Sequence, residues 1–507
     1  MHLTLSLAGG IYILMYSATY YEVSETDTIY IDKTAFVDGK GRERIFRGMS
    51  FIFEGDVNTF PRVYNPVITD EMLREYSENG FNLIRLGVVW DAVEHEMGRY
   101  NDEYLSKIAD IVRRCEKIDI YVYIVMYQRH YASFMNGGVG APLWATDTDN
   151  RTYMRVKYEA SQLQYFFNPA VGNAFDNFWN NKKIAAKGLQ DRYAEMLNHI
   201  LPFFTNKKAF LGIDFMNEPF PGSCCLQIFR NAVSTGLKYL VNDEKIDTPT
   251  VVKNYFKGKN RYSIFRLVES EETFNRIINS AGEITADFDR TKYAPFFNRM
   301  SEKTADAVGD RFIFEENNYC SNIGMPGDLP ETGRKNVVFA PNGFDLTSGT
   351  TADESTANSM RTDIIWAQHK KTQERLGCPV IVGAWGKHSG ADRGLAHISH
   401  EMDVFDANKW SSAFFKYKPG IFRMPIADVL VRPYPVATAG TLDYFRYDAH
   451  CKIFEMQYSQ KRDKEIETVV FLPSQPKEIE TDVQYTIEGR HLKAITLTGV
   501  HKIKIKL

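Results

Sequence analysis

The stretch Phe210-Leu211-Gly212-Ile213-Asp214-Phe215-Met216-Asn217-Glu218-Pro219 reads as a buried strand that ends by delivering one carboxylate to a cleft. A short apolar run of this kind suits a strand covered on both faces, as in a parallel sheet. Seven further runs share its character, at residues 45–51, 81–88, 120–126, 311–314, 337–340, 380–383 and 412–416. Helical patterns lie between them. Thr69 is placed to cap a helix carrying Met72, Leu73 and Tyr76 that Gly80 stops, and Asn101 to cap one with Leu105, Ile108, Ile111 and Val112 on one face. Eight strands separated by helical or loop material predict a (β/α)8 TIM barrel, whose chemistry sits at the C-terminal ends of the strands. Glu218 and Ala384 both fall at such ends.

The barrel is expected over residues 25–425. Its connections 129–185 and 220–305 are far longer than an ordinary βα loop and are expected to fold over the cleft. Beyond them the pattern changes to short apolar or alternating segments at 467–472, 483–487, 492–497 and 501–507, separated by Pro, Gly and polar turns. Residues 426–507 therefore read as a small C-terminal β-sandwich. The ending His501-Lys502-Ile503-Lys504-Ile505-Lys506 puts its lysines on one strand face, which reads as a solvated edge.

At 507 residues, 44% hydrophobic and 25% charged, the chain has room for a barrel and a smaller domain and the balance of a globular protein. A net charge of −3 gives no electrostatic case for nucleic acid or an anionic membrane surface. The apolar N-terminus, with only His2 ahead of it and small residues Ser17 and Ala18 behind, reads as a signal peptide within residues 1–24; it is short for a membrane span. A secreted or secretory-lumen location is the matching expectation, and Asn150-Arg151-Thr152 is then a glycan acceptor. The six cysteines form no dense disulfide pattern and no CxxC. His397 and His400 lack companion ligands, so no metal and no cofactor are expected.

Several segments together resemble the retaining glycosidases of glycoside hydrolase family 5, and within that clan the endoglycoceramidases. They are Arg47-Gly48-Met49-Ser50, the run from Gly80 to Trp90 with Val93-Glu94 and Gly98-Arg99-Tyr100-Asn101 after it, Met216-Asn217-Glu218-Pro219, and Val431-Arg432-Pro433-Tyr434-Pro435-Val436-Ala437-Thr438-Ala439-Gly440. The likeness spans about residues 30–460. It implies that Glu218 is the acid/base, that Asn217 bonds a sugar 2-hydroxyl, and that Arg85 supports the nucleophile. It also implies a glycan or glycolipid as ligand.

The departures are as consistent as the matches. The resemblance puts the nucleophilic glutamate where Ala384 stands, in Gly383-Ala384-Trp385-Gly386. The third strand reads Val125-Met126-Tyr127-Gln128-Arg129 in place of Asp-Met-His-Gln-Asp. Asn342-Gly343-Phe344 replaces a His-x-Tyr pair, Phe415 replaces a platform tryptophan, and Ser50 an asparagine. Tyr127, Gln128, Asn342, Phe344, Trp385 and Phe415, with Arg85 and Asn217, are the expected ligand-binding set. Retaining hydrolysis needs two carboxylates roughly 5–5.5 Å apart, and an alanine cannot attack an anomeric carbon. The expectation is a pseudoenzyme in which Arg85 has lost its partner and is open to an anionic ligand group. The alternative is an active endo-glycosidase that keeps Glu218 as acid/base and uses a non-standard nucleophile or base. Glu315 and Glu316 could supply one, with Asp345 and Asp392 as weaker candidates.

Overall fold

The computed structural model describes residues 27–56, 59–135, 137–153, 164–241, 268–348, 356–387 and 392–507. The candidate signal peptide and parts of both long connections lie outside the described residues.

Eight parallel strands form the expected barrel: β1 (Arg47–Phe51), β2 (Leu83–Val88), β3 (Tyr121–Met126), β4 (Phe210–Asp214), β5 (Phe312–Glu315), β6 (Val337–Phe339), β7 (Ile381–Trp385) and β8 (Ser411–Phe414). They are hydrogen-bonded in the order β6-β5-β4-β3-β2-β1-β8-β7. The ring closes between β6 and β7 through bridges at Phe339–Val380 and Gly343–Trp385. All eight are buried along their length, which is why they read as unbroken apolar runs. The caps fall where the sequence puts them. Thr69 accepts from the Met72 amide at 3.2 Å and Asn101 from the Tyr104 amide at 3.0 Å.

Strand spacing inside the ring is set partly by glycine. A Cβ at Gly212 on β4 would sit 1.9 Å from the Phe312 carbonyl oxygen of β5, a backbone atom that cannot step aside. The two strands approach only because that side chain is absent.

The second domain is an antiparallel sandwich with one correction to its expected limits. Its seven-stranded sheet begins with Ile29–Asp32, Ala35–Asp38 and Arg42–Arg44, which the sequence reading had given to the barrel. These strands are three or four residues long, too short to display a period, and the third is Arg-Glu-Arg. The third strand pairs with Tyr434–Ala439, so the chain enters the sandwich before it enters the barrel. The lysine-bearing strand Gly499–Lys506 is also no edge. It pairs with Ile453–Gln460 on one side and Glu478–Thr481 on the other, with His501, Ile503 and Ile505 turned into the core. The lysines face solvent because the opposite face is buried, and Lys504 meets Glu480 at 3.2 Å.

The domains are tied at the turn after the first barrel helix, Asp70–Glu78. Gly80 has φ +82°, its carbonyl accepts from the Tyr434 hydroxyl at 2.8 Å, and a Cβ there would lie 2.5 Å from the Phe471 ring. Gly80→Ala should therefore destabilise the chain by about 1–3 kcal/mol through left-handed strain and overpacking. Urea unfolding measures it, and an unchanged midpoint would show that this contact does not hold the domains.

Candidate active site at the barrel mouth

Asn217 and Glu218 leave β4 in a conformation that the surroundings enforce. The Asn217 amide donates to the Met126 carbonyl at 3.0 Å. Glu218 then has φ +48°, sparsely populated for a residue with a side chain and characteristic of functional sites. Its own amide donates to Glu316 Oε2 at 2.6 Å. Gln128 Nε2 donates to the carbonyls of Asn217 and Glu218 at 2.9 and 3.1 Å. Gln128 thus braces this turn from beneath and is nearly fully buried.

Arg85, on β2, is completely buried and not open to a ligand. Its Nη2 donates to Asn217 Oδ1 at 2.7 Å and to Glu316 Oε1 at 2.5 Å. This overturns the expectation that Arg85 lost its anionic partner. The partner is Glu316, one residue beyond β5, itself fully buried. Asn342 Nδ2 donates to Glu316 Oε2 at 2.9 Å, so both oxygens of that carboxylate are engaged. Asp214 lies against the pair; burial, then the Glu316 charge, pushes its carboxyl well above the carboxylate range.

Neighbouring Glu315 points the other way, as strand alternation requires, and burial and Asp289 push its carboxyl up. Asp345 is committed elsewhere, to the buried guanidinium of Arg361 at 2.5 Å.

The Glu218 carboxylate is the part of the cluster that reaches the cleft, where Asn322 Nδ2 donates to Oε1 at 2.7 Å. Burial, then the charge of Glu316, raises its pKa from 4.5 to about 7, with Arg85, Lys387 and Arg129 pulling the other way. A carboxyl in this state holds a proton near neutral pH and can give it up, as a general acid must.

Ala384 lies on β7 with its methyl buried, and its carbonyl accepts from the Gly343 amide at 3.0 Å. A Cβ on the preceding Gly383 would lie 3.5 Å from Arg85 Nε. That Nε and Nη1 of the same guanidinium find no hydrogen-bond partner among the described residues. The unsatisfied edge of Arg85 thus lies close to β7, where residue 384 has no polar atom to offer.

The aromatic residues divide. Phe344 and Phe415 meet edge to face at 6.3 Å and are both partly exposed. Tyr127 donates to Glu54 Oε1 at 3.2 Å. Trp385 is not with them. It packs on Phe405 at 4.9 Å and Phe414 at 5.4 Å, buried between barrel and helices, where the β7 register shifts between Val382 and Trp385. Glu54, Asn322 and Lys387 belong to the neighbourhood without having been expected there. They stand outside the regular strands, and only the polar run Asn317-Asn318 near Asn322 hinted at a site.

With this geometry in view, comparison with known proteins defines the class. A cellulase model of glycosyl hydrolase family 5 matches residues 37–234, and the glycoside hydrolase family 5 C-terminal domain model matches residues 432–503. Endoglycoceramidase I of Rhodococcus hoagii (strain 103S) is 22% identical over 457 residues, covering 86% of this chain and 77% of that protein. An endoglycoceramidase of Cyanea nozakii is 29% identical over 213 residues, 37% of this chain and 40% of its own length. The solved structure of endo-glycoceramidase II from Rhodococcus sp. in complex with ganglioside GM3 superposes with a TM-score of 0.68 at 20% identity, over 94% of this chain and 99% of that one. The chain belongs to glycoside hydrolase family 5, as an endoglycoceramidase-like member.

The raised pKa of Glu218 has a sign that can be checked. Between pH 4.5 and about 7 the folded chain keeps a proton that the unfolded chain has lost, so this group's contribution to stability declines as pH rises through that window. Glu218→Gln is neutral throughout. Its stability relative to the parent should rise by about 2–3 kcal/mol from pH 4.5 to 8, read from denaturant midpoints. A difference that stays flat with pH would mean that Glu218 titrates as an ordinary exposed acid.

Proposed function

We propose that this chain is a glycan- or glycolipid-binding homologue of the endoglycoceramidases that no longer performs retaining hydrolysis. The observation that carries this reading is the Arg85–Glu316 pair. The guanidinium that the resemblance assigns to a nucleophile on β7 is bound to a carboxylate from β5, while β7 offers only Ala384. Glu316 is completely buried and both its oxygens accept hydrogen bonds, so it is poorly disposed to reach an anomeric carbon, which demands a closely placed and aligned attacking atom. Glu218, Phe344 and Phe415 remain at the cleft as groups that can hold a sugar, while Asn217 is buried with its side-chain amide bonded to Arg85 and to the Gln128 carbonyl. What the curated relatives act on is their property, and glycan or glycolipid binding by this chain is our inference from likeness and site together.

A second reading has one observation in its favour. Glu218 at about pH 7 is suited to protonate a leaving group, so an endo-glycosidase using it with a non-standard nucleophile or base is the competing account. Incubation with a fluorescent GM3-type glycolipid separates the two. Binding without release of the oligosaccharide is expected, and Glu218→Gln should leave that absence of turnover unchanged. Turnover that disappears in Glu218→Gln would sink the binding-only account.

The reading extends to compartment: we take the chain to be a secretory-route protein glycosylated at Asn150, which stands exposed in a turn ahead of Thr152. Expression through a eukaryotic secretory route should give a mass shift that glycosidase F removes and Asn150→Gln abolishes. An unshifted chain recovered from the lumen would contradict it.

A further inference from the structure

Lys387 and Lys416 stand at equivalent places, each two residues beyond the end of adjacent strands β7 and β8. Both ammonium groups lie 5.7 Å from the centroid of the Phe415 ring, and so within twice that distance of each other. Neither has a carboxylate to itself. Lys416 comes no nearer than 4.0 Å to Glu54, and Lys387 forms no salt bridge among the described residues.

The available acids are already committed. Glu54 accepts from Arg129 at 3.3 Å and from the Tyr127 hydroxyl at 3.2 Å. Glu218, the acid that Lys387 feels most, is held by Asn322 and is half-protonated near neutral pH. Desolvation at the barrel mouth lowers the Lys387 pKa, the Glu218 and Glu54 charges work against that, and the charges of Arg129 and Lys416 lower it further. Two cations that repel each other beside a partly exposed aromatic ring would both be stabilised by one shared anion.

We propose that the barrel mouth holds a subsite for an anionic group on a sugar, a carboxylate or a sulfate ester, gripped between the Lys387 and Lys416 ammonium groups beside the Phe415 ring. The ring offers an apolar face to sugar C–H groups while the lysines act as compact point charges. This subsite rests on the glycan-binding reading above and names the class of glycan.

Calorimetric titration of the full chain with lactose, sialyllactose and sulfated lactose tests it. At least one acidic sugar should bind about tenfold or more tightly than lactose. That preference should shrink as salt rises from about 0.05 to 0.2 M. Lys387→Met and Lys416→Met should each bring the ratio of acidic to neutral affinity towards one, and Lys→Arg at either position should keep it above one. A preference for sialyllactose alone assigns the subsite to carboxylates, for sulfated lactose alone to sulfate esters, and equal preference to charge as such; all three support the subsite. Equal affinity for all three sugars, indifferent to the lysine substitutions, overturns the subsite and leaves glycan binding standing. A chain of unchanged melting temperature that binds none of the three overturns both.

Discussion

The ion pair between Arg85 and Glu316 is the constraint on which the site depends. It joins β2 to the end of β5 inside the barrel, and every group around Glu218 is indexed to it. Arg85 holds the Asn217 amide, Glu316 accepts from the Glu218 backbone, and Asn342 of the β6 end completes the carboxylate's bonds. Removing one member of a fully buried pair leaves a bare charge, at a typical cost of about 3–5 kcal/mol. The pair also fixes the unusual positive φ of Glu218, since that conformation is what aims its amide at Glu316. Strain and electrostatics are therefore one arrangement here.

Placement of that negative charge has a functional consequence. A carboxylate is supplied to Arg85 at Nη2, while its Nε and Nη1 find no hydrogen-bond partner among the described residues on the side of β7, the strand that carries Ala384. The carboxylate that Arg85 binds lies buried at the end of β5, and residue 384 of β7 is an alanine with no group to attack a sugar. At the rim, Arg129 and Lys416 share Glu54, and Lys387 stands beside the Phe415 ring. These features are what the proposed reading, a family 5 scaffold that holds a glycan without cutting it, rests on.

Much of this was legible in the sequence because barrel strands buried on both faces leave continuous apolar runs, and their helices leave capping residues such as Thr69 and Asn101. The same rule explains what was missed. Three strands before residue 45 are too short to carry a period, and the partner of the third, Tyr434–Ala439, lies nearly four hundred residues away. The placement of Asn217, Glu218 and Ala384 at the C-terminal ends of barrel strands was legible because they sit at fixed offsets from apolar runs. The role of Glu316 was not, because two adjacent acids give no sign of which faces inward until the strand register is set. Trp385 was misplaced because the register of β7 shifts between Val382 and Trp385, which turns the indole onto Phe405, and nothing in the sequence announces such a shift.

The proposed loss of retaining hydrolysis requires that no carboxylate of the chain act as a nucleophile towards a sugar. Incubation with an activated 2-deoxy-2-fluoro-β-lactoside, followed by intact-mass measurement, addresses it directly, because such reagents accumulate as glycosyl-enzyme adducts wherever a retaining nucleophile exists. The account predicts no mass increase at any reagent concentration. An adduct of one lactosyl unit, mapped to Glu316 or any other acid of the cleft, would contradict it.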